Sequence, residues 1–251
     1  SGHVVVLVEK IEGPEVSIFA LCDGENYVLL PSAQDHKRLN ENDEGPNTGG
    51  MGAYSPTPLV TPNLLEEIIK EIIKPTINEL RRKKIDYRGV LYFGLMITNL
   101  GPKVIEYNCR FGDPECQTIM PLLDKRFVKI LLLCAMGNLK GNEKIDICNK
   151  VSGCVIATSK GYPNEYKTGF QIKIGMIDSN DCQIFDSGTS LSENGKLLTD
   201  GGRVLSIVCQ DKDFDAVFEK AYKNLKEIQF KGIYFRNDIG HQVRKNFSWE
   251  N

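Results

Sequence analysis

The run Glu106-Tyr107-Asn108-Cys109-Arg110-Phe111-Gly112-Asp113-Pro114-Glu115 holds the densest set of groups able to do chemistry in this chain. Lys103 to Tyr107 reads as a strand running straight into it, and the two-residue period of a strand puts Glu106, Asn108 and Arg110 on one face. A carboxylate and an amide oxygen two residues apart are hard donors, suited to Mg²⁺ that is shared with the phosphates of a bound ligand. The competing reading is a solvent-facing strand edge, where the same spacing arises readily. A second cluster, Gln34-Asp35-His36-Lys37-Arg38, precedes Gly45-Pro46-Asn47-Thr48-Gly49-Gly50-Met51-Gly52. Glycines that admit close backbone approach, with two cations beside them, can cradle a ribose phosphate or an acyl phosphate. A solvated charged turn is the alternative there. His36 alone reads as a hydrogen-bonded structural residue, and His3 and His241 carry no functional signal.

These groups need elements to hold them. Val4 to Val8 is a short β-branched run that suits a buried strand, and Val16 to Leu21 suits the next, with Glu12-Gly13-Pro14 as the turn between them. From Pro31 to Pro58 the chain is rich in Gly, Pro, Asn, Asp and Ser, a long loop that Met51, Tyr54 and Pro56 should order. Thr61-Pro62 predicts a helix start, and Leu64, Leu65, Ile68, Ile69, Ile72 and Ile73 give it one apolar face. Pro75 should kink or interrupt that helix before Arg81-Arg82-Lys83-Lys84, a solvated basic end. Gly89 to Thr98 and Lys103 to Tyr107 form a predicted antiparallel hairpin. A helix is expected over Arg126 to Met136, then a polar connector from Gly137 to Asn149. Strands are expected at Gly153 to Ala157, Phe170 to Ile174, Gln183 to Phe185 and Arg203 to Cys209, with a turn at Glu193-Asn194-Gly195 and a last helix over Ala216 to Ile228.

Composition narrows the class. Lys plus Arg number 31 against 33 Asp plus Glu, so the formal charge of -2 offers no basic field for nucleic acid or an anionic membrane. Apolar runs such as Ile130 to Met136 fall far short of the ~20 residues of a membrane span. The 8 cysteines are scattered without a C-x-x-C pair and read as reduced, mostly core residues of a cytosolic protein. The chain opens at Ser1-Gly2-His3 with no initiator Met. That start reads as a cut inside a longer protein, with Ser1-Gly2 either an expression scar or a natural turn.

The stretch Val104 to Glu115 resembles the signature of glycinamide ribonucleotide synthetases, which are ATP-grasp ligases. Gln34 to Arg38 with Gly45 to Pro58 resembles a second block of that family. The similarity continues through Gly161-Tyr162-Pro163 and Gly201-Gly202-Arg203-Val204-Leu205 to Arg236-Asn237-Asp238-Ile239-Gly240, nearly the whole chain. It implies an α+β fold: a partial ATP-grasp lobe over residues 1–149, an antiparallel sheet with helices, and a small α+β lobe over 150–251. It also implies ATP and Mg²⁺ (or Mn²⁺) as cofactors, with the metal on Glu106 and Asn108 and catalytic roles for Arg110 and Asp113. Substrate binding falls by the same carry-over to Asp35, Lys37, Arg38, Asn47, Thr48, Gly49, Gly50, Gly52 and Glu115. The stretch Glu9 to Ser17 resembles the hinge, in which the Glu9 carbonyl and Ile11 amide face adenine and Glu15 holds the ribose. On residue types alone that stretch is an acidic turn.

The implied reaction makes glycyl phosphate from glycine and ATP, then joins it to phosphoribosylamine. Three departures from the family pattern stand out. Val8 replaces an acid, Lys10 replaces an apolar residue, and Val90 to Thr98 carries no acid, so a second ion would lean on phosphates and water. The family's amino-terminal domain and its lid lie upstream of the matching region. The expectation is therefore the carboxyl-terminal portion of such an enzyme, inactive alone, either a fragment or part of a longer polypeptide that carries other purine-synthesis activities. Two alternatives stand: a binding or assembly module of the same fold, and an ATP-grasp ligase for another acid or amine.

Overall fold

The computed structural model describes residues 9–245, so the expected strand Val4 to Val8 lies outside the described residues. The chain runs from β1 (Glu15–Asp23) and β2 (Tyr27–Leu29) to β3 (Gln34–Asp35), a ribbon of β4 (Arg38–Asn40) and β5 (Glu44–Asn47), and β6 (Gly52–Ser55). The Gly- and Pro-rich stretch is thus ordered, anchored by the fully buried Met51 and Tyr54. Next comes α1 (Pro62–Ile68), whose first turn is capped by Thr61 Oγ1 accepting from the Leu64 amide at 3.3 Å. A π-helical turn (Ile69–Ile73) leads into α2 (Lys74–Arg82). The interruption that Pro75 demands takes the form of this turn, because proline has no N–H to continue the regular ladder.

β7 (Arg88–Thr98) and β8 (Gly101–Asn108) form the expected hairpin. After it come α3 (Glu115–Ile119), α4 (Phe127–Met136), β9 (Val151–Ser159), β10 (Lys173–Ile174), β11 (Cys182–Asp186), β12 (Thr189–Leu191), β13 (Leu197–Thr199), β14 (Arg203–Asp211), α5 (Phe214–Leu225), β15 (Ile228–Gln229) and β16 (Ile233–Tyr234). The Glu193-Asn194-Gly195 turn closes the β12–β13 hairpin. Three expectations need correction. The strand over Phe170 to Ile174 shrinks to β10 and one bridge from Gln171 to Leu198. The last helix starts earlier, where Asp213 accepts from the Ala216 amide at 2.9 Å, and ends at Leu225, so Ile228 enters β15 instead. The cysteines are not all reduced: Cys182 and Cys209 face each other across β11 and β14 with Cα atoms 4.1 Å apart and form a disulfide. Strand register made that pair, and a separation of 27 residues hid it from spacing rules. Of the rest, Cys22, Cys134 and Cys154 are buried, whereas Cys109 and Cys148 are exposed.

Two sheets organise the fold. The first has the order β2-β1-β7-β8. Val16, Ile18, Ala20 and Cys22 of β1 pack with Ile68, Ile72, Ile73 and Ile77 of the helical layer. The alternate residues Phe19 and Leu21 pack on the other face with Ile119, Phe127 and Ile130. β1 is thus buried on both faces, although Val16 to Leu21 reads from the sequence as an alternating strand. The second sheet has the order β11-β14-β9-β6-β3, with β16 also on β9 and α5 packed through Val217, Phe218, Ala221 and Leu225. This sheet crosses the expected 149/150 division, because β3 and β6 from the first half pair into it through β9.

The carboxyl-terminal segment is locked to the β4–β5 ribbon by a buried ion pair. Arg236, with no exposed surface, donates from Nε and Nη2 to both oxygens of Asp238 at 2.7 and 2.6 Å. Its Nη1 reaches the Arg38 carbonyl at 3.0 Å and Asp43 at 2.8 Å. Burial opposes ionisation of Asp238, but the hydrogen bonds and charge of Arg236 outweigh it and hold the carboxyl below its ordinary value. Removing one partner of such a pair leaves a buried charge uncompensated, so Arg236→Ala should cost about 3–5 kcal/mol in chemical denaturation. A depressed carboxyl stabilises the fold above its unfolded pKa. The contribution of Asp238 should therefore be complete above pH ~4, fade as the pH falls below that, and vanish from the pH profile of Arg236→Ala.

Candidate active site

One face of the first sheet becomes the floor of a cavity. Register places Ser17 opposite Gly94, Phe19 opposite Tyr92, Tyr92 opposite Asn108 and Gly94 opposite Glu106, so all share that face. A bulge at Ile105 makes this possible. Val104 pairs with Leu95 and packs toward the helical layer, whereas Glu106, two residues on, pairs with Gly94 and faces the opposite way. A regular strand would have put Val104 and Glu106 on the same side. Gly94 leaves room for the acid, since a Cβ there would lie 2.9 Å from Glu106 Cγ. Tyr107 points to the other face, where its hydroxyl shares a 3.0 Å hydrogen bond with Thr76.

The cavity, about 280 Å³, is lined by Glu106, Asn108, Arg110, Asp113 and Glu115, together with Asp35, Lys37, Asn47, Thr48 and Gly49. Asn108 Nδ2 donates to Glu106 Oε1 at 3.2 Å, which sets the two side chains alongside each other. Arg110 lies beyond the end of β8, so strand alternation does not place it; its Nη1 donates to the Phe111 carbonyl at 2.7 Å. Glu115 opens α3 and is buried, accepting from Ser17 Oγ at 2.9 Å, while that hydroxyl also shares a 3.0 Å bond with Tyr92. Asp35 comes from β3 of the other sheet. Its Oδ1 is shut off from solvent and has no hydrogen-bond partner. Burial, reinforced by the Glu115 carboxylate, pushes the Asp35 pKa well up, against the opposing pull of Lys37 and Arg203. Such a site wants a cation.

A second cavity of about 450 Å³ adjoins the first, sharing Asp35, Lys37 and Asn47 and adding Gly13, Glu15, Arg38 and Gln242. Glu15 lines it but is paired with Lys37 at 2.6 Å. Burial works against the charge on Lys37, yet Glu15, Asp35 and Glu106 prevail and raise its pKa. Glu9 and Ile11, expected at adenine, line neither cavity. Gly50 and Gly52 also fall outside both. Gly52 sits within β6, buried against Cys154 and Ile239, and Gly50 adopts φ +112° against Pro114 and Asp35. The loop amides have partners already: Gly49 donates to the Tyr162 hydroxyl at 2.8 Å and Gly50 to Thr48 Oγ1 at 3.0 Å. The glycines here allow close packing of backbone rather than an open ring of amides.

Arg203, which residue spacing did not single out, joins the loop and the turn that line the first cavity. From the start of β14 its Nη1 donates to the carbonyls of Gly49 at 2.6 Å and Asp113 at 2.8 Å, and its Nη2 to the Asp113 carboxylate at 2.9 Å. It lies 90 residues from Asp113 in sequence, and only the pairing of β14 with β9 brings it there. His36 is structural, as expected. Its Nε2 meets Gln242 and the Gly240 amide, and burial, with Arg236 nearby, lowers its pKa to about 4.

Comparison with known proteins agrees with this architecture. The biotin carboxylase domain of Hydrogenobacter thermophilus 2-oxoglutarate carboxylase superposes over 90% of this chain and 48% of that one, with TM-score 0.64 at 15% identity, a likeness of fold alone. The family model matched by its first half makes the chain an ATP-grasp protein. Residues 1–116 match the family described as phosphoribosylglycinamide synthetase, ATP-grasp (A) domain, and residues 152–242 match its C domain. The phosphoribosylamine–glycine ligase of Synechocystis is 45% identical over 95% of this chain, and the crystal structure of the Thermotoga maritima ligase superposes over 92% with TM-score 0.82 at 33% identity. The Gallus gallus trifunctional purine biosynthetic protein adenosine-3 is 42% identical over 97% of this chain. The chain belongs to the phosphoribosylglycinamide synthetase family. It spans 57% of the Synechocystis relative, 56% of the Thermotoga chain and 24% of the Gallus protein.

The packing of Gly50 sets a test. A side chain there needs an unfavourable backbone and a Cβ 2.5 Å from Pro114 Cδ, so Gly50→Val should lower stability by about 2–5 kcal/mol. Denaturant unfolding of this chain reads it directly. A loss below ~0.5 kcal/mol would restore the loop as a ligand cradle rather than a packed joint.

Proposed function

We propose that the chain is the catalytic portion of a phosphoribosylamine–glycine ligase, which uses ATP to convert glycine to glycyl phosphate and passes the glycyl group to the amine of 5-phosphoribosylamine. The observation that carries this reading is the convergence of Glu106, Asn108, Arg110, Lys37, Asp35 and Glu115 on one cavity from both sheets. Glu106 and Asn108 stand alongside each other and each carries a hard oxygen, a set that suits Mg²⁺ or Mn²⁺ completed by nucleotide phosphates once the Asn108 amide turns its oxygen inward. When bound, the ion supplies neutralisation of phosphate charge during phosphoryl transfer.

The remaining residues have separable tasks. Asp35 and Glu115 supply negative charge for the ammonium of glycine, and the orphaned Asp35 oxygen is the acceptor such a group would satisfy. Arg110 and Lys37 put fixed positive charge beside the carboxylate as it becomes an acyl phosphate. Asp113, held by Arg203, orients the turn that carries Arg110 and Glu115. The adjoining cavity, with Arg38 and Gln242, has the polar lining that a sugar phosphate needs. On this reading ATP must be clamped from a second lobe, as in-line phosphoryl transfer and exclusion of water require. We assign that lobe to the part of the family outside these 251 residues.

The test exchanges segments. Replacing the matching segment of the Synechocystis ligase with this chain should yield a protein that releases ADP when both glycine and phosphoribosylamine are supplied, while the isolated chain releases none. In the exchanged protein Glu106→Ala should lower kcat about 100-fold or more with an unchanged melting temperature. Near-normal glycine-dependent ADP release by Glu106→Ala would overturn the metal assignment. Robust product from the isolated chain would overturn the need for a second lobe.

A further inference from the structure

Gly161, the first residue of the Gly161-Tyr162-Pro163 motif, lines a cavity that the proposed reaction does not use. It measures about 880 Å³, larger than either catalytic cavity, and is lined by Lys160, Tyr166, Lys167, Phe170 and Lys231 with the turn residues between them. Its walls are fixed. The Lys160 amide donates to the Gly232 carbonyl at 2.8 Å, joining the turn after β9 to the turn before β16, and the Asn164 amide closes on Gly161 at 2.9 Å.

Charge and aromatic surface occur together here. Lys160, Lys167 and Lys231 bring three ammonium groups against one carboxylate, Glu165, and none of the three lysines is ion-paired among the described residues. The Lys231 ammonium lies 5.4 Å from the centre of the Phe170 ring, and Tyr166, 42% exposed, adds a second ring. Three cations without an ion pair suit a phosphate, and the exposed Tyr166 ring beside the half-buried Phe170 suits a flat heterocycle. The volume lies within the range of small-molecule sites. We propose that this cavity is a second ligand site, separate from the catalytic one, and that it takes a phosphorylated nucleoside. Tyr162, whose hydroxyl accepts from the Gly49 amide, packs with its ring centre 6.4 Å from that of Tyr166.

The experiment is calorimetric titration of the 251-residue chain with adenosine monophosphate, and in parallel with adenosine, ribose 5-phosphate and inorganic phosphate. Adenosine monophosphate should bind more tightly than any of the other three, because only it engages both the ammonium groups and the rings. The double variant Lys160→Glu, Lys231→Glu should weaken it about tenfold or more, whereas Glu106→Ala should leave it unchanged. Both lysines are exposed, and an unaltered melting temperature confirms that the variant folds. Bound nucleotide should also protect Lys160 and Lys231 from acylation read by mass spectrometry. Equal affinity for inorganic phosphate, or binding that survives the lysine variant and falls with Glu106→Ala, would overturn the proposal.

Discussion

The site depends on one guanidinium. Arg203 reaches from the second sheet to the carbonyl of Gly49 and to both the carbonyl and the carboxylate of Asp113, so a single planar fork ties the glycine loop to the turn between β8 and α3. It adds to the Glu15–Lys37 pair and the Ser17–Ala33 bridge in holding Asp35, Lys37 and Thr48 against Glu106, Asn108 and Glu115. Lysine also has three donors, but all on one mobile nitrogen, so it lacks the fixed two-nitrogen fork that spaces these contacts.

α3 supplies the other half of the constraint. It packs against β6 and β9 of the second sheet while Ile119 enters the core beneath β1. Its first residue, Glu115, is thereby buried where Ser17 and Asp35 meet. The cavity consequently carries an excess of carboxylate that the protein's own cations only partly offset, and Asp35 shows the strain as a raised pKa and an unpartnered oxygen. A buried charge without partners is expensive, so such a site favours ligands that bring positive charge with them. The contrast with Arg236 and Asp238 is instructive. There every charged group has a partner inside the protein, and the result is a rivet, not a site.

Much of this was legible in the residues. The strand at β1, the Thr61 cap, the break at Pro75 and the β7–β8 hairpin follow from local pattern and from the absence of a proline N–H. Glu106 and Asn108 were correctly put on one face, though only the bulge at Ile105 turns that face away from Val104. Less legible were the short elements. Five-residue α3 has no helical period to detect, and β3 and β6 are too brief to announce that they join a sheet made mostly from the second half.

The sequence by itself determined which chemistry the chain can support: hard oxygens at 106 and 108, cations at 37, 38 and 110, and acids at 35, 113 and 115, each in a segment whose local structure follows from side-chain type. Tertiary structure alone decided which of these meet. It put Glu15 into a pair with Lys37, withdrew Gly50 and Gly52 from the cavity, joined Cys182 to Cys209 and brought Arg203 to Asp113. The reason is physical. Local propensity and periodicity act over a few residues, whereas register between distant strands is fixed by burying two whole sheets at once, and no single segment records that outcome.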